Sequence, residues 1–130
     1  LLFHGDSMLD INMALNYLDN DKPVKTMIEF LKCRHLAPVF GERSQIAPTE
    51  RDWLVIEELP DIFHTGHMHI NGKGNYHNIK LVNSGCFQCQ TDFMKSLGIR
   101  PTPGIVPIVN LKDLTLIELN FNKERFWESQ

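Results

Sequence analysis

Asp61-Ile62-Phe63-His64-Thr65-Gly66-His67-Met68-His69-Ile70 is the stretch on which the reading of this chain depends. It opens as a short apolar strand, meets Gly66, and then presents two imidazoles two residues apart. In extended backbone, residues two apart face the same side. His67 and His69 are therefore expected side by side at a strand end. Two neutral imidazoles so placed supply half the ligands of a metal site. Gly66 in front of them allows a sharp turn or a close backbone approach.

A second run, Leu1-Leu2-Phe3, ends on His4-Gly5 in the same way. Metal ligation is therefore expected of His4, His67 and His69. Asp6 and Asp10 carry carboxylates nearby in sequence, but Asp6 or Ser7 reads as a helix N-cap. Ser7 with Asp10 approximates a capping box. His64 alternates with Ile62 along the strand and reads as packing. His77 reads as solvated. Arg34 and His35 follow a helix C-terminus, where cations are favoured, and are candidates for a phosphate contact.

The 130 residues suffice for about one domain with a core. Hydrophobic content of 42% and charged content of 22% are ordinary for a globular chain. No apolar run approaches the roughly 20 residues of a membrane span, and no secretory leader is visible. A cytoplasmic location and no membrane partner are the expectation. The first residue is Leu rather than Met, so a fragment of a longer protein is expected. The net charge of −3 argues against a stand-alone, non-specific DNA binder, which would carry a basic patch.

Helices are expected from about Ser7 to Leu18, with Met8, Ile11, Leu15 and Leu18 on one face, and from Pro23 to about Arg34. The second has Val24, Met27, Ile28 and Leu31 on its apolar face. Residues 38–52 read as a long loop, of the length that is often functional. Trp53–Glu57 reads as a buried strand, and Asn71-Gly-Lys-Gly-Asn75 as a hairpin turn. Asn78–Asn83 is then the return strand. A short helix over Asp92–Leu97 and a hairpin of Ile105–Asn110 with Leu114–Asn120 follow. The division expected is a domain over 1–121 and a polar tail over 122–130 containing Phe126 and Trp127. The class expected is α/β in the α+β sense.

Cys33, Cys86 and Cys89 make an odd number without a secretory signal, which suits reduced thiols. Cys86 and Cys89 have CxxC spacing, but a structural zinc site needs four ligands and no second pair exists. They read as incidental. A rival constellation is Ser7 as nucleophile, His64 as base and Asp61 as orienter, after the pattern of GDS-type esterases. It leaves Gly66-His67-Met68-His69 without a purpose, and its Asp-x-x-His runs into a hairpin instead of a final helix.

Several blocks occur together in order: Phe3-His4-Gly5, Arg34-His35-Leu36-Ala37-Pro38, His64-Thr65-Gly66-His67-Met68-His69, Asn83-Ser84-Gly85, Gln90-Thr91-Asp92-Phe93 and Pro101-Thr102-Pro103-Gly104. Together they resemble the small subunit of archaeal family D DNA polymerase, of the calcineurin-like metallophosphoesterase superfamily. The resemblance implies the C-terminal half of a metallophosphoesterase β-sandwich flanked by helices. It implies a 3′→5′ exonuclease acting on DNA 3′ ends and paired with a large catalytic subunit as a heterodimer. It implies two divalent metal ions, Mn first, with Fe, Zn or Mg as alternatives; imidazoles suit the first three better than Mg. His4 and His67 match metal-ligand positions, and His69 would complete the site, so that His67 and His69 form its catalytic pair. The family's upstream blocks, Asp-x-His, Gly-Asp-x-x-Asp and Gly-Asn-His-Asp/Glu, are absent, which leaves about half of a two-metal site. The alternatives are a non-catalytic scaffold subunit and another phosphoesterase of this fold.

Overall fold

In the computed structural model the described residues are 1–96 and 98–122. Leu97 and the expected polar tail beyond Asn122, with Phe126 and Trp127, lie outside them.

Helix α1 spans Met8–Ala14 and helix α2 spans Pro23–Cys33. Pro23 opens α2 in its first turn, where its missing N–H costs nothing. Arg34 closes the helix in the left-handed conformation, φ 55°. The two helices bury Met8, Ile11, Met27, Phe30 and Leu31 against a mixed sheet. Phe30 stands at the centre of this core, edge-on to Phe3 at 5.9 Å and to Phe63 at 6.5 Å between ring centroids. Each such buried side chain contributes about 1.5–3 kcal/mol. Phe30 falls outside the apolar face expected from spacing, yet it and Phe63 are the largest fully buried side chains among the described residues.

The sheet is built from β1 (Ile62–Thr65), β2 (Gly72–Tyr76) and β3 (Ile79–Asn83), in the order β1-β3-β2. Strand β1 is parallel to β3, and β2 is antiparallel to it. Residues 1–4 lie along the free edge of β1: His64 N donates to Leu1 O at 2.9 Å, and Phe3 N to His64 O at 2.9 Å. Helix α3 covers Asp92–Ser96. Strands β4 (Ile105–Val109) and β5 (Leu116–Asn120) form a separate antiparallel hairpin, as expected. Glu118 ties this hairpin to β2, accepting from Lys73 Nζ at 2.6 Å and Asn71 Nδ2 at 2.5 Å. The Lys73 ammonium holds the Glu118 carboxyl below its usual range. The class is α+β, as expected. No helix among the described residues is long and apolar enough to cross a membrane.

Three sequence expectations are corrected. Trp53–Glu57 is not a buried strand: it makes a single bridge, Val55 to His35, while Trp53 stands exposed beneath the Arg51 guanidinium. Its partner segment, between the end of α2 and Pro38, is too short for a ladder. Asn71–Asn75 is not a turn but the start of β2, and the turn falls at His77-Asn78. The glycines serve packing instead: a Cβ on Gly74 would lie 2.8 Å from Val24 Cγ1, and one on Gly72 3.1 Å from Val24 Cγ2. The capping box does not form either. Ser7 is the N-cap of α1, but its hydroxyl donates to Leu36 O, and Asp10 is engaged with a distant loop.

Candidate metal centre

Residues 1–4 and β1 run parallel, so they deliver their ends to the same place. Gly66 N donates to His4 O at 3.0 Å, which sets His4 beside Gly66-His67. Both chains must then diverge within a residue. Gly5 does so at φ 105°, a region nearly closed to other residues. A Cβ there would meet Met8 Sδ at 3.0 Å, Gly66 O at 3.3 Å and His67 Cβ at 3.4 Å. Only glycine lets the two ends approach this closely.

Beyond Gly66 the backbone is not extended. His67 and His69 are both left-handed, at φ 63° and 58°, on either side of buried Met68. The side-by-side alternation expected of the pair therefore fails, because that rule holds only within a strand. Left-handed backbone at two non-glycine residues costs about 1–3 kcal/mol each and persists only where surroundings enforce it. Here the enforcement is Asn83, fully buried, whose Nδ2 donates to Ile70 O at 2.6 Å while its Oδ1 accepts from Thr65 Oγ1 at 2.6 Å. Thr102 N donates to His69 O at 3.0 Å and holds the far side of the turn.

His4 Nε2 lies 3.3 Å from His67 Nδ1, and each of these nitrogens lies 3.6 Å from Asp6 Oδ1. Two ligand atoms bound at about 2.1 Å to one ion stand about 3.0–3.4 Å apart for bond angles of 90–109°. The observed separations match that spacing within a few tenths of an ångström, so the donor set fits a divalent ion. Burial pushes the His67 imidazole below its ordinary pKa, Asp6 partly opposes this, and His4 and His69 add to it. A neutral imidazole keeps a lone pair for ligation. Among the described residues, His4, Asp6 and His67 are the one group whose ligand atoms converge in this way. His69 is not in it, so the structure brings together His4 and His67 of the three expected histidines and adds Asp6. The competing N-cap reading of Asp6 had hidden it; the cap is Ser7, and Asp6 is free to face the rings.

The other candidates fall elsewhere. Arg34 donates through Nε to Ile56 O at 2.7 Å and through Nη2 to Glu57 O. His35 bonds Asp52 Oδ2 at 2.8 Å through Nε2 and accepts from Ala37 N at 2.9 Å through Nδ1. Arg34 lines a cavity with Pro60 and Asp61, at the start of β1, whereas His67 follows its end. Their donors are spent on holding residues 52–57, not on a phosphate at the histidines. The esterase constellation is not assembled: the Ser7 hydroxyl serves Leu36 O, His64 bonds Ser84 Oγ at 2.5 Å, and Asp61 sits at the opposite end of β1. Cys86 and Cys89 are free thiols, and neither joins a metal-ligating group among the described residues.

A mixed sheet under two helices, with a polar site where its parallel strands end, defines an α+β fold consistent with a fragment of a phosphoesterase-like domain. No family model matches the chain. Curated relatives do. The DNA polymerase II small subunit of Methanocaldococcus jannaschii is 50% identical over 111 residues, which is 85% of this chain and 19% of that protein. That of Methanothermobacter thermautotrophicus is 44% identical over 120 residues, 92% of this chain and 25% of that protein. That of Pyrococcus horikoshii is 44% identical over 124 residues, 95% of this chain and 20% of that protein. Over the matched length the chain belongs to the family of archaeal DNA polymerase II small subunits. It spans about a fifth to a quarter of the length of these relatives.

Proposed function

We propose that this chain supplies part of a two-metal phosphodiesterase centre in the small subunit of an archaeal DNA polymerase, and that the centre acts as a 3′→5′ exonuclease. The observation that carries the reading is the convergence of His4, Asp6 and His67 within 4.8 Å, with open solvent on one side. Three protein ligands and an open position are the arrangement of a catalytic metal site, whereas structural sites are closed. Bound divalent ions, Mn first, with Fe, Zn or Mg as alternatives, would lower the pKa of a water and neutralise the phosphate. His4, Asp6 and His67 would hold one ion. His69, on the same enforced turn, would face the scissile phosphodiester or a second ion completed by residues outside this chain. The protein would work beside a large catalytic subunit, on DNA 3′ ends.

The test is Mn-dependent digestion of a 3′-labelled single strand by the full-length protein. Digestion should require the metal and fall by two or more orders of magnitude in His67→Ala, as for loss of a group essential to the transition state. Unchanged digestion in that variant would remove His67 from the centre. A wild-type protein that binds the large subunit but digests nothing would make it a scaffold.

A further inference from the structure

Next to the histidine–aspartate cluster is a cavity of about 480 Å³, within the range of small-ligand sites. Asp6 and His67 form one end of it. Its walls are apolar, with Leu9 and Leu54 prominent, and its roof is the loop segment Arg43–Ile46. That segment does not hang free. The Asp10 carboxylate, only 1% exposed, accepts from Arg43 N at 3.2 Å and Ser44 N at 3.0 Å. A buried carboxylate is thus committed to holding the roof over the cavity.

The roof also carries an unsatisfied group. Among the described residues, the Ser44 hydroxyl and the Asn71 carbonyl oxygen are the buried side-chain polar atoms without a hydrogen-bond partner. Buried polar groups are nearly always bonded, to protein or to water, so this hydroxyl is available to a group that enters the cavity. Ser44 lines this cavity.

We propose that the cavity is the subsite for one unstacked nucleoside, the one whose phosphate lies at the histidine–aspartate cluster. This rests on the phosphodiester reading of that cluster. The apolar walls take the flat face of a base, as single-strand binders do by stacking and apolar contact. The Ser44 hydroxyl bonds the base edge or the sugar. Arg43, at the rim, offers its charge to the nucleotide's phosphate.

The test is calorimetric titration of the full-length protein, with saturating Mn²⁺, by deoxyadenosine monophosphate and separately by inorganic phosphate. The nucleotide should bind at least tenfold tighter than phosphate. That ratio should collapse toward one in Ile46→Trp, which fills the cavity, and fall at least threefold in Ser44→Ala. Both positions lie on a surface loop, so a melting curve superposable on wild type separates the effect from misfolding. Equal affinities in the wild type, or a ratio unmoved by both variants, overturns the proposal. If the ratio behaves as stated while the protein digests no DNA, the nuclease reading falls and the pocket stands. If DNA is digested and Ile46→Trp leaves kcat/KM on an oligonucleotide unchanged, the pocket alone falls.

Discussion

Gly5 and Asn83 show how single residues create the cluster. Gly5→Ala forces a side chain into φ 105° and against Met8 Sδ at 3.0 Å. A loss of about 1–3 kcal/mol in denaturant unfolding is expected, together with weaker Mn²⁺ binding, because His4 moves away from His67. Asn83 is a buried amide that satisfies Ile70 O and Thr65 Oγ1. Two titrating residues respond to pH at this scale. Burial lowers the His64 imidazole below 6.5, as it does His67. A depressed folded pKa means the unfolded chain takes up the proton first. The contribution of these two imidazoles to metal-free stability is therefore full above pH 6.5 and falls as pH drops through the folded values. His64→Gln should flatten that fall, read as melting temperature between pH 8 and pH 5; an equally steep decline in the variant would discard the burial argument. His4 and His67 were legible because an apolar run ending on a histidine before or after glycine is a local signal. Asp6 was not, because its place beside the two rings depends on the positive-φ turn at Gly5, and an aspartate ahead of a helix has a commoner explanation in capping.

At the scale of elements, the sequence pattern located the two helices, β1, β3 and the final hairpin, because the helices carry periodic apolar faces and the strands are short apolar runs bounded by turn-forming residues. It failed at β2, where Gly72 and Gly74 imitate a turn. The imitation is physical: glycine serves turns through positive φ and serves packing through its missing Cβ, and only the neighbour distinguishes the two. That neighbour is Val24 of α2, which follows the Pro23 that starts the helix. Gly74→Ala should therefore push α2 off the sheet and destabilise by about 1–3 kcal/mol, the usual cost of overpacking. Val24→Ala removes the atom that the new Cβ would strike at 2.8 Å. The double variant should recover most of the loss, as contacting residues are non-additive. Simple addition of the two single-variant losses would mean that Gly74 is there for its backbone alone. Trp53–Glu57 failed for the converse reason: its apolar letters belong to a segment pinned by Arg34 and His35, so its side chains are sorted by loop contacts instead of by a ladder.

For the molecule as a whole, the core and the cluster are separate. Met27, Phe30, Phe63 and Leu81 are fully buried under the helices, whereas the His4 and Asp6 side chains are 66% and 64% exposed. The fold therefore does not need the proposed ion, unlike small domains that are unfolded without one, and chelation should leave the far-UV spectrum unchanged. An ion that binds only the folded state must still stabilise it, by about 2.7 kcal/mol at a hundredfold excess over Kd. For a chain of this size that amounts to a rise of roughly 10 °C in melting temperature. The rise should be strongest for Mn²⁺ and weak for Mg²⁺, which prefers all-oxygen shells. It should shrink in acid, because ligation needs the His67 imidazole neutral and protons compete with the ion for it. His4→Ala and Asp6→Ala should each abolish most of it while leaving the metal-free melting temperature nearly unchanged, since neither side chain contributes to the core. His69→Ala should reduce it less, because His69 stands outside the converging group. A rise that survives in His4→Ala and vanishes in His69→Ala would move the centre to the other side of the turn and require a different ligand set.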